Sequence, residues 1–303
     1  FPPFLDIIEY LERERFSELI ISTPGSLGLV ALAAGRLLGL KLTGIYHTDL
    51  PKYVEVMTED EGMGQTTWRY MCWFYGQMDT VFVPSQWYRD QLAEYGLESK
   101  RLKVLPRGVD VDLFSPDRRC EDYWHRYGCN GNFKFLYAGR ISREKNIEWL
   151  LKAFEKVVAN GVPVDLVFVG DGPHLTELRK RYEDREDVLF TGFLEGDDLT
   201  EAYASCDAFV FPSTTDTFGN VVLEAQASGL PVIVSDQGGP QGIVRPSESG
   251  LVVQANNTDA LARTMEHVAN DAELRKTLSK KGLENARQRT WHRILEELWG
   301  LPA

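Results

Sequence analysis

Apolar residues along this chain fall in short unbroken runs, not in alternation, and most runs are followed by a longer stretch at helical spacing. A strand covered on both faces reads as such a run, because both sets of side chains must avoid water. In the second part of the chain the pattern predicts strands at 133–138, 164–169, 187–191, 208–212, 231–235 and 250–253. Helices are expected between them at 146–159, 174–183, 197–206, 219–228 and 258–269, then at 271–286 and 289–299. The first part predicts strands at 19–23, 42–47, 80–84 and 101–105, with helices at 26–38, 66–78 and 86–95. Strands alternating with helices imply parallel sheets. Pro106-Arg107-Gly108-Val109-Asp110 and Ser115-Pro116 mark a linker. The expected division is 1–117, 118–286, and a terminal segment 287–303.

Residues 212–239 carry the most informative chemistry. This stretch ends one strand, crosses a turn, opens a helix and enters the next strand at Pro231. The backbone N–H groups of Thr217, Phe218, Gly219, Asn220 and Val221 should form the free amino end of that helix, which attracts phosphate. Asp216 precedes them, so it either caps the helix or contacts a ligand. Glu224 lies among Val221, Val222, Leu223, Ala225 and Ala227. A carboxylate in such a place needs hydrogen-bond partners, which a polyol such as a nucleotide ribose would supply; the bland alternative is a side chain reaching solvent or a base. A glycosidase pairing of Asp216 with Glu224 is disfavoured. Eight residues along a helix span about 12 Å, beyond the roughly 5 to 9.5 Å of such carboxyl pairs.

Two cations come next. Arg140 follows the 133–138 strand and Gly139, so its side chain can reach over the carboxyl edge of the sheet, and Lys145 follows shortly after. Together they could stabilise a departing diphosphate, or they are solvated loop cations. His47 closes the expected second strand in Tyr46-His47-Thr48-Asp49. Asp49 either orients it or caps a helix starting near Pro51. Gly238-Gly239-Pro240-Gln241 reads as a turn.

These motifs together resemble the GT-B, family-4 type of retaining glycosyltransferases. Asp216 to Glu224, followed by Gly229, Pro231 and Val232, is similar to that family's acidic signature. Ala138-Gly139-Arg140 with Lys145 and Asn146 resembles its donor-phosphate element. Val169-Gly170-Asp171-Gly172-Pro173 resembles its Gly-x-Gly-Pro loop, and Phe190-Thr191-Gly192-Phe193 its base-binding turn. The chain departs in having Asp216 where Glu is usual, Arg107 where Asn is frequent, and Gln241 where an acid is frequent.

The resemblance implies an α/β fold of two Rossmann-like, doubly wound parallel-sheet domains. It implies transfer of a hexose from a UDP- or GDP-sugar to a hydroxyl acceptor, a lipid or a glycan, with no metal and no cofactor beyond the donor. Peripheral membrane contact would come through the acceptor. Asp216, His47, Arg140 and Lys145 would be catalytic, with His47 turned toward the donor sugar. Glu224, Gly139, Gly172, Phe193, Thr217, Phe218, Gly219, Asn220 and Val221 would bind substrate. The last helix would cross back onto the first domain, anchored by Trp291 and Trp299. The chain begins at Phe1, and nothing before Leu19 matches the family's opening strand and glycine-rich turn. The first domain is therefore expected to be incomplete and the chain a fragment of doubtful transfer activity. A nucleotide-sugar-binding module without activity and a sugar-nucleotide epimerase are the rival readings.

Composition narrows this further. A net charge of -12 argues against nucleic acid as a partner. The four cysteines make no Cys-x-x-Cys pair, and with the histidines they make no metal pattern, so buried thiols in a cytoplasmic, reducing setting are expected. No apolar run approaches the ~20 residues that span a bilayer.

Overall fold

The computed structural model describes residues 2–105, 107–129 and 132–299, with the side chains of 297–299 left aside. The chain divides into two compact units, 1–106 and 107–303. The boundary falls inside the expected linker, and 107–117 belongs with the second unit. Pro106 itself lies outside the described residues, as does the side chain of Trp299.

The first unit runs α1 (Phe4–Arg13), β1 (Glu18–Ile21), α2 (Ser26–Leu37), β2 (Lys41–Ile45), α3 (Leu50–Thr58), α4 (Glu61–Gly76), β3 (Thr80–Val83), α5 (Gln86–Glu94) and β4 (Leu102–Val104). Its sheet is parallel throughout, in the order β1-β2-β3-β4. Leu42, Val81 and Val83 from the strands meet Met71, Phe74 and Tyr75 of α4 in its core. Close packing also explains Gly44, where an added Cβ would sit 2.7 Å from the Met78 sulfur.

Three differences from expectation have local causes. Helix α1 was not predicted, although Phe4, Ile7, Ile8 and Leu11 form one half-buried face at helical spacing. Helix α4 starts at Glu61, not 66: Asp60 caps it by accepting from the Gly62 and Met63 N–H groups at 2.8 and 3.4 Å, which offsets two glycines in its first turns. Strand β2 ends at Ile45, so His47 lies two residues past it.

The second unit comprises β5 (Phe133–Ala138), α6 (Ile147–Ala159), β6 (Val164–Val169), α7 (Leu175–Arg181), β7 (Val188–Gly192), α8 (Gly196–Ala204), β8 (Ala208–Phe211), α9 (Asn220–Ala227), β9 (Val232–Ser235), α10 (Pro240–Val244), β10 (Leu251–Val253), α11 (Thr258–Asn270), α12 (Ala272–Arg287) and α13 (Trp291–Trp299). The expected turn at 238–241 is instead the entry to α10, with Pro240 at its first position, where the missing N–H costs nothing. Trp291 packs against Gly108, where an added Cβ would come within 2.9 Å of its ring.

The strand order of this unit is β10-β9-β8-β5-β6-β7, all parallel. The chain builds outward from β5 through β6 and β7, then returns to the other side of β5 with β8. The winding direction therefore reverses between β5 and β8. In an open α/β sheet, ligands bind outside the carboxyl ends of the strands at such a switch point. One layer beneath it is aromatic: Tyr137 stacks on Phe211 at 5.9 Å and Phe168 on Phe190 at 4.8 Å.

Candidate functional site

The loops leaving β5, β6 and β7 are joined by backbone hydrogen bonds beyond the strand ends. The Gly139 N–H donates to the Val169 carbonyl at 3.0 Å, Ile141 to Asp171 at 2.9 Å, and Gly170 to Gly192 at 2.8 Å. Such close approach leaves no room for side chains. A Cβ on Gly170 would lie 2.0 Å from the Gly139 oxygen, and one on Gly172 would lie 2.2 Å from the Ile141 oxygen. Gly170 also has φ +140°, where L-residues are strained.

A second clamp holds the loop between β8 and α9. The Gly239 N–H donates to the Asp216 carbonyl at 2.8 Å, and a Cβ on Gly239 would lie 1.9 Å from the Thr217 oxygen. The Gln241 amide donates to the Gly238 carbonyl at 3.3 Å, which an acid at that position could not do when ionised. Gln241 thus secures the clamp.

Between the two clamps, at the switch point, lie most of the residues singled out from sequence. Lys145 Nζ is 2.8 Å from both Asp216 oxygens, with the two side chains 18% and 22% exposed. The Thr215 hydroxyl donates to the Glu144 carbonyl at 3.1 Å, a further tie between these loops. Lys145 can sit here because Asn146 takes φ +59°, a left-handed conformation that Asn tolerates far better than most residues. Arg140 is exposed, and its guanidinium makes no hydrogen bond or ion pair among the described residues. Its carbonyl is held by the buried Tyr137 hydroxyl at 2.9 Å.

Asp216 does not cap α9. The N-cap is Gly219, at φ +87° and without a side-chain hydrogen bond. Phe218 is buried below it, Thr217 and Val221 are half-buried, and Asn220 is exposed. At the start of α9 the Val222 N–H donates to the Gly219 carbonyl at 2.9 Å, and the Asn220 and Val221 N–H groups ahead of it have no intrahelical partner.

One turn further on, Glu224 is half-buried and accepts from the Tyr203 hydroxyl at 3.0 Å. Burial raises its pKa above the ordinary carboxylate range, and the Tyr203 hydroxyl draws it part of the way back. At the end of β7, Gly192 turns the chain at φ +87° and leaves Phe193 71% exposed.

His47 belongs to the first unit, half-buried beyond β2. Asp49 caps α3 through the Lys52 N–H at 3.1 Å and accepts from the Tyr88 hydroxyl at 2.9 Å. The cap, one of the two roles read from sequence for Asp49, is formed.

Sequence reading missed Tyr137, Tyr203 and the Gly238–Gly239 clamp. A tyrosine inside an apolar run gives no signal of its own. The paired glycines did carry one, since adjacent glycines before a proline imply crowded backbone. Among the described residues, no group of three or more His, Cys, Asp or Glu side chains could hold a metal ion. No helix among them is long and apolar enough to cross a membrane.

Two parallel-sheet units, one with its strand order reversed beneath clamped loops, define the GT-B class of α/β proteins. The same architecture is found in HepE of Anabaena, solved in complex with UDP, with a TM-score of 0.82 and 22% identity over 99% of this chain and 82% of that one. Sucrose-phosphate synthase from Thermosynechococcus elongatus gives 0.81 and 23% over 98% and 76%. Within that class the chain belongs to the glycosyl transferases group 1 family, whose model matches residues 129–285, with glycosyltransferase family 4 matching residues 1–113.

Named relatives agree. A sulfoquinovosyl transferase of Arabidopsis thaliana is 31% identical over 289 residues, covering 92% of this chain and 55% of its own. A GDP-mannose-dependent alpha-mannosyltransferase of Mycobacterium tuberculosis is 32% identical over 283 residues, covering 92% and 71%. The chain thus spans little more than half the length of the first.

Proposed function

We propose that this glycosyltransferase is a retaining hexosyltransferase using a UDP- or GDP-sugar donor and a hydroxyl acceptor on a lipid or glycan. The observation that carries the reading is the Lys145–Asp216 pair at the amino end of α9, on the switch point of the second unit. A diphosphate set there would meet a fixed ammonium, the N–H groups of Asn220 and Val221 at the start of α9, and the unengaged Arg140. As the sugar bond breaks, charge grows on the diphosphate, and these groups stabilise it without further reorganisation. Arg140 and Lys145 would fill the part that a divalent cation plays elsewhere. Glu224 would accept from the ribose hydroxyls, and Phe193 would lie beside the base. The GDP-mannose dependence of the mycobacterial relative supports a nucleotide-sugar donor here.

Asp216 is engaged on both oxygens by Lys145, so it is poorly placed as a covalent nucleophile. Retention would instead follow from front-face transfer, in which the leaving phosphate takes the acceptor proton. Catalysis would then rest on positioning and charge stabilisation. His47 is assigned to the donor sugar on the family resemblance.

The test is a thermal-shift panel of UDP, GDP and other nucleoside diphosphates on the whole chain, followed by acceptor-dependent release of nucleotide with and without EDTA. A ligand that binds only the folded chain raises its melting temperature. Absence of any shift at millimolar nucleotide would refute the donor assignment. Loss of transfer in EDTA would refute the role given to Arg140 and Lys145. Release of free or epimerised sugar without acceptor would favour the epimerase reading.

A further inference from the structure

We infer that Tyr203 is a positioning residue, whose buried hydroxyl orients the Glu224 carboxylate toward the ribose of the donor. The inference rests on the proposed ribose-binding role of Glu224 and adds the device that makes it selective.

Tyr203 lies on α8 and is 1% exposed. Its ring is fixed by Phe209, stacked at 5.8 Å and 20°, and by Phe114, edge-on at 5.3 Å and 80°. An aromatic ring so enclosed has one orientation, and its oxygen is aimed at Glu224 Oε2 at 3.0 Å. Glu224 has no ion-pair partner among the described residues, and its neighbours Val222, Leu223 and Ala225 are fully buried. The Tyr203 hydroxyl is thus the single polar side chain that touches this carboxylate among the described residues.

Two physical consequences follow. A glutamate side chain has several rotamers, and holding one of them before the ligand arrives removes part of the ordering cost of binding. A neutral donor does this without consuming the negative charge, as a lysine or arginine would. One Oε2 lone pair goes to Tyr203, which leaves Oε1 and the rest of Oε2 to accept from two hydroxyls. Vicinal hydroxyls, such as the 2′ and 3′ groups of a ribose, match that demand. The hydroxyl of Tyr203 would therefore sharpen the preference for ribonucleotides over nucleotides lacking those groups, while leaving the diphosphate contacts untouched.

The test is calorimetry on the whole chain with UDP and GDP, each compared with its 2′,3′-dideoxy analogue. Variants are Tyr203→Phe, which keeps the ring and its packing, and Glu224→Ala. The wild type should prefer the ribonucleotide, and Glu224→Ala should abolish that preference. Tyr203→Phe should weaken ribonucleotide binding by about three- to tenfold, the range for one hydrogen bond, with dideoxynucleotide binding within about twofold of wild type by the same reasoning. Equal weakening for both nucleotides would reduce Tyr203 to a packing residue and overturn the inference. So would full retention of the preference in Tyr203→Phe while Glu224→Ala loses it, with the ribose role of Glu224 left intact. No preference in the wild type, or no binding of either nucleotide, would overturn the ribose role and this inference with it.

Discussion

Replacing Lys145 with Ala separates two effects that its geometry combines. Lys145 Nζ is 2.8 Å from both Asp216 oxygens, and an ammonium has three protons, so it can hold the carboxylate and still reach a phosphate. The lost charge-assisted bond to the diphosphate is worth about 1.5 to 3 kcal/mol, or roughly 10- to 150-fold in Kd. Uridine carries no phosphate and should bind as before. The variant also leaves Asp216 without its cation, and that bare carboxylate repels the incoming diphosphate. Unit charges about 4 Å apart interact by about 1 kcal/mol in bulk water and about 4 at a protein surface, so the repulsion is comparable with the lost bond. Lys145→Ala combined with Asp216→Asn should therefore bind UDP at least about fivefold more tightly than Lys145→Ala alone, taking the lower of those figures. Calorimetry with UDP and uridine on the three chains reads both effects. Equal losses for UDP and uridine, or a double variant no tighter than the single one, would refute the placement of the diphosphate beside this pair.

Arg140→Ala should weaken UDP by a similar factor yet leave the melting temperature of the free chain unchanged, because its exposed guanidinium makes no hydrogen bond or ion pair among the described residues; a lowered melting temperature would contradict this. Burial raises the Glu224 pKa, so protonation begins above the ordinary glutamate range. A ribose needs the ionised form, so UDP affinity should fall as pH drops through that window, whereas the free chain gains stability from the same protonation and loses it as pH rises; a Glu224→Gln variant with the same pH dependence as wild type would count against it. Gly170→Ala should destabilise by at least about 2 kcal/mol, since its Cβ would lie 2.0 Å from the Gly139 oxygen at φ +140°. Gly196→Ala, left-handed but facing open space, should cost only about 1 kcal/mol in the same denaturant titration, and equal costs would show that the loops after β5 and β6 part easily. Asn285→Ala should cost about 1 to 3 kcal/mol, because it removes the donor 2.7 Å from the oxygen of the fully buried Gln226; a neutral result in chemical denaturation would mean that water replaces it.

The parallel sheets were legible because burial on both faces writes itself into unbroken apolar runs such as Phe133–Ala138 and Val164–Val169. Helices that depend on a cap were less so. Asp60 starts α4 ahead of Gly62 and Gly64, and a sum of helix propensities over that turn points the other way. Charged residues out of keeping with their apolar surroundings, Glu224 above all, marked the candidate site. Their partners were hidden, because Tyr203 is 21 positions from Glu224 and Lys145 is 71 from Asp216. No periodicity relates residues so far apart. The reversal of strand order between β5 and β8 brings the Lys145 and Asp216 loops to one place, while Tyr203 and Glu224 meet where α8 packs on α9.

The two clamps show why that place is built from backbone before side chains. Gly170, Gly172 and Gly239 let neighbouring loops meet at backbone distance, where a Cβ would clash, and the N–H groups of Gly170 and Gly239 are spent on the facing carbonyls. Sterics fix these glycines whatever sugar or base is bound. On the proposed reading, selectivity would come from side chains that the clamps leave free to vary: Phe193 on the loop after β7, Glu224 with Tyr203 behind it, and Asp216, a methylene shorter than the glutamate usual in the family it resembles. Asp216 reaches Lys145 on both oxygens. A glutamate there would have to fold back to make the same contact, or would project past the ammonium toward the sugar. Asp216→Glu should therefore change the relative rates with different sugar donors while UDP affinity stays within about threefold, since the phosphate contact itself is retained. A uniform loss of UDP affinity without any change in sugar preference would place this side chain with the phosphate alone.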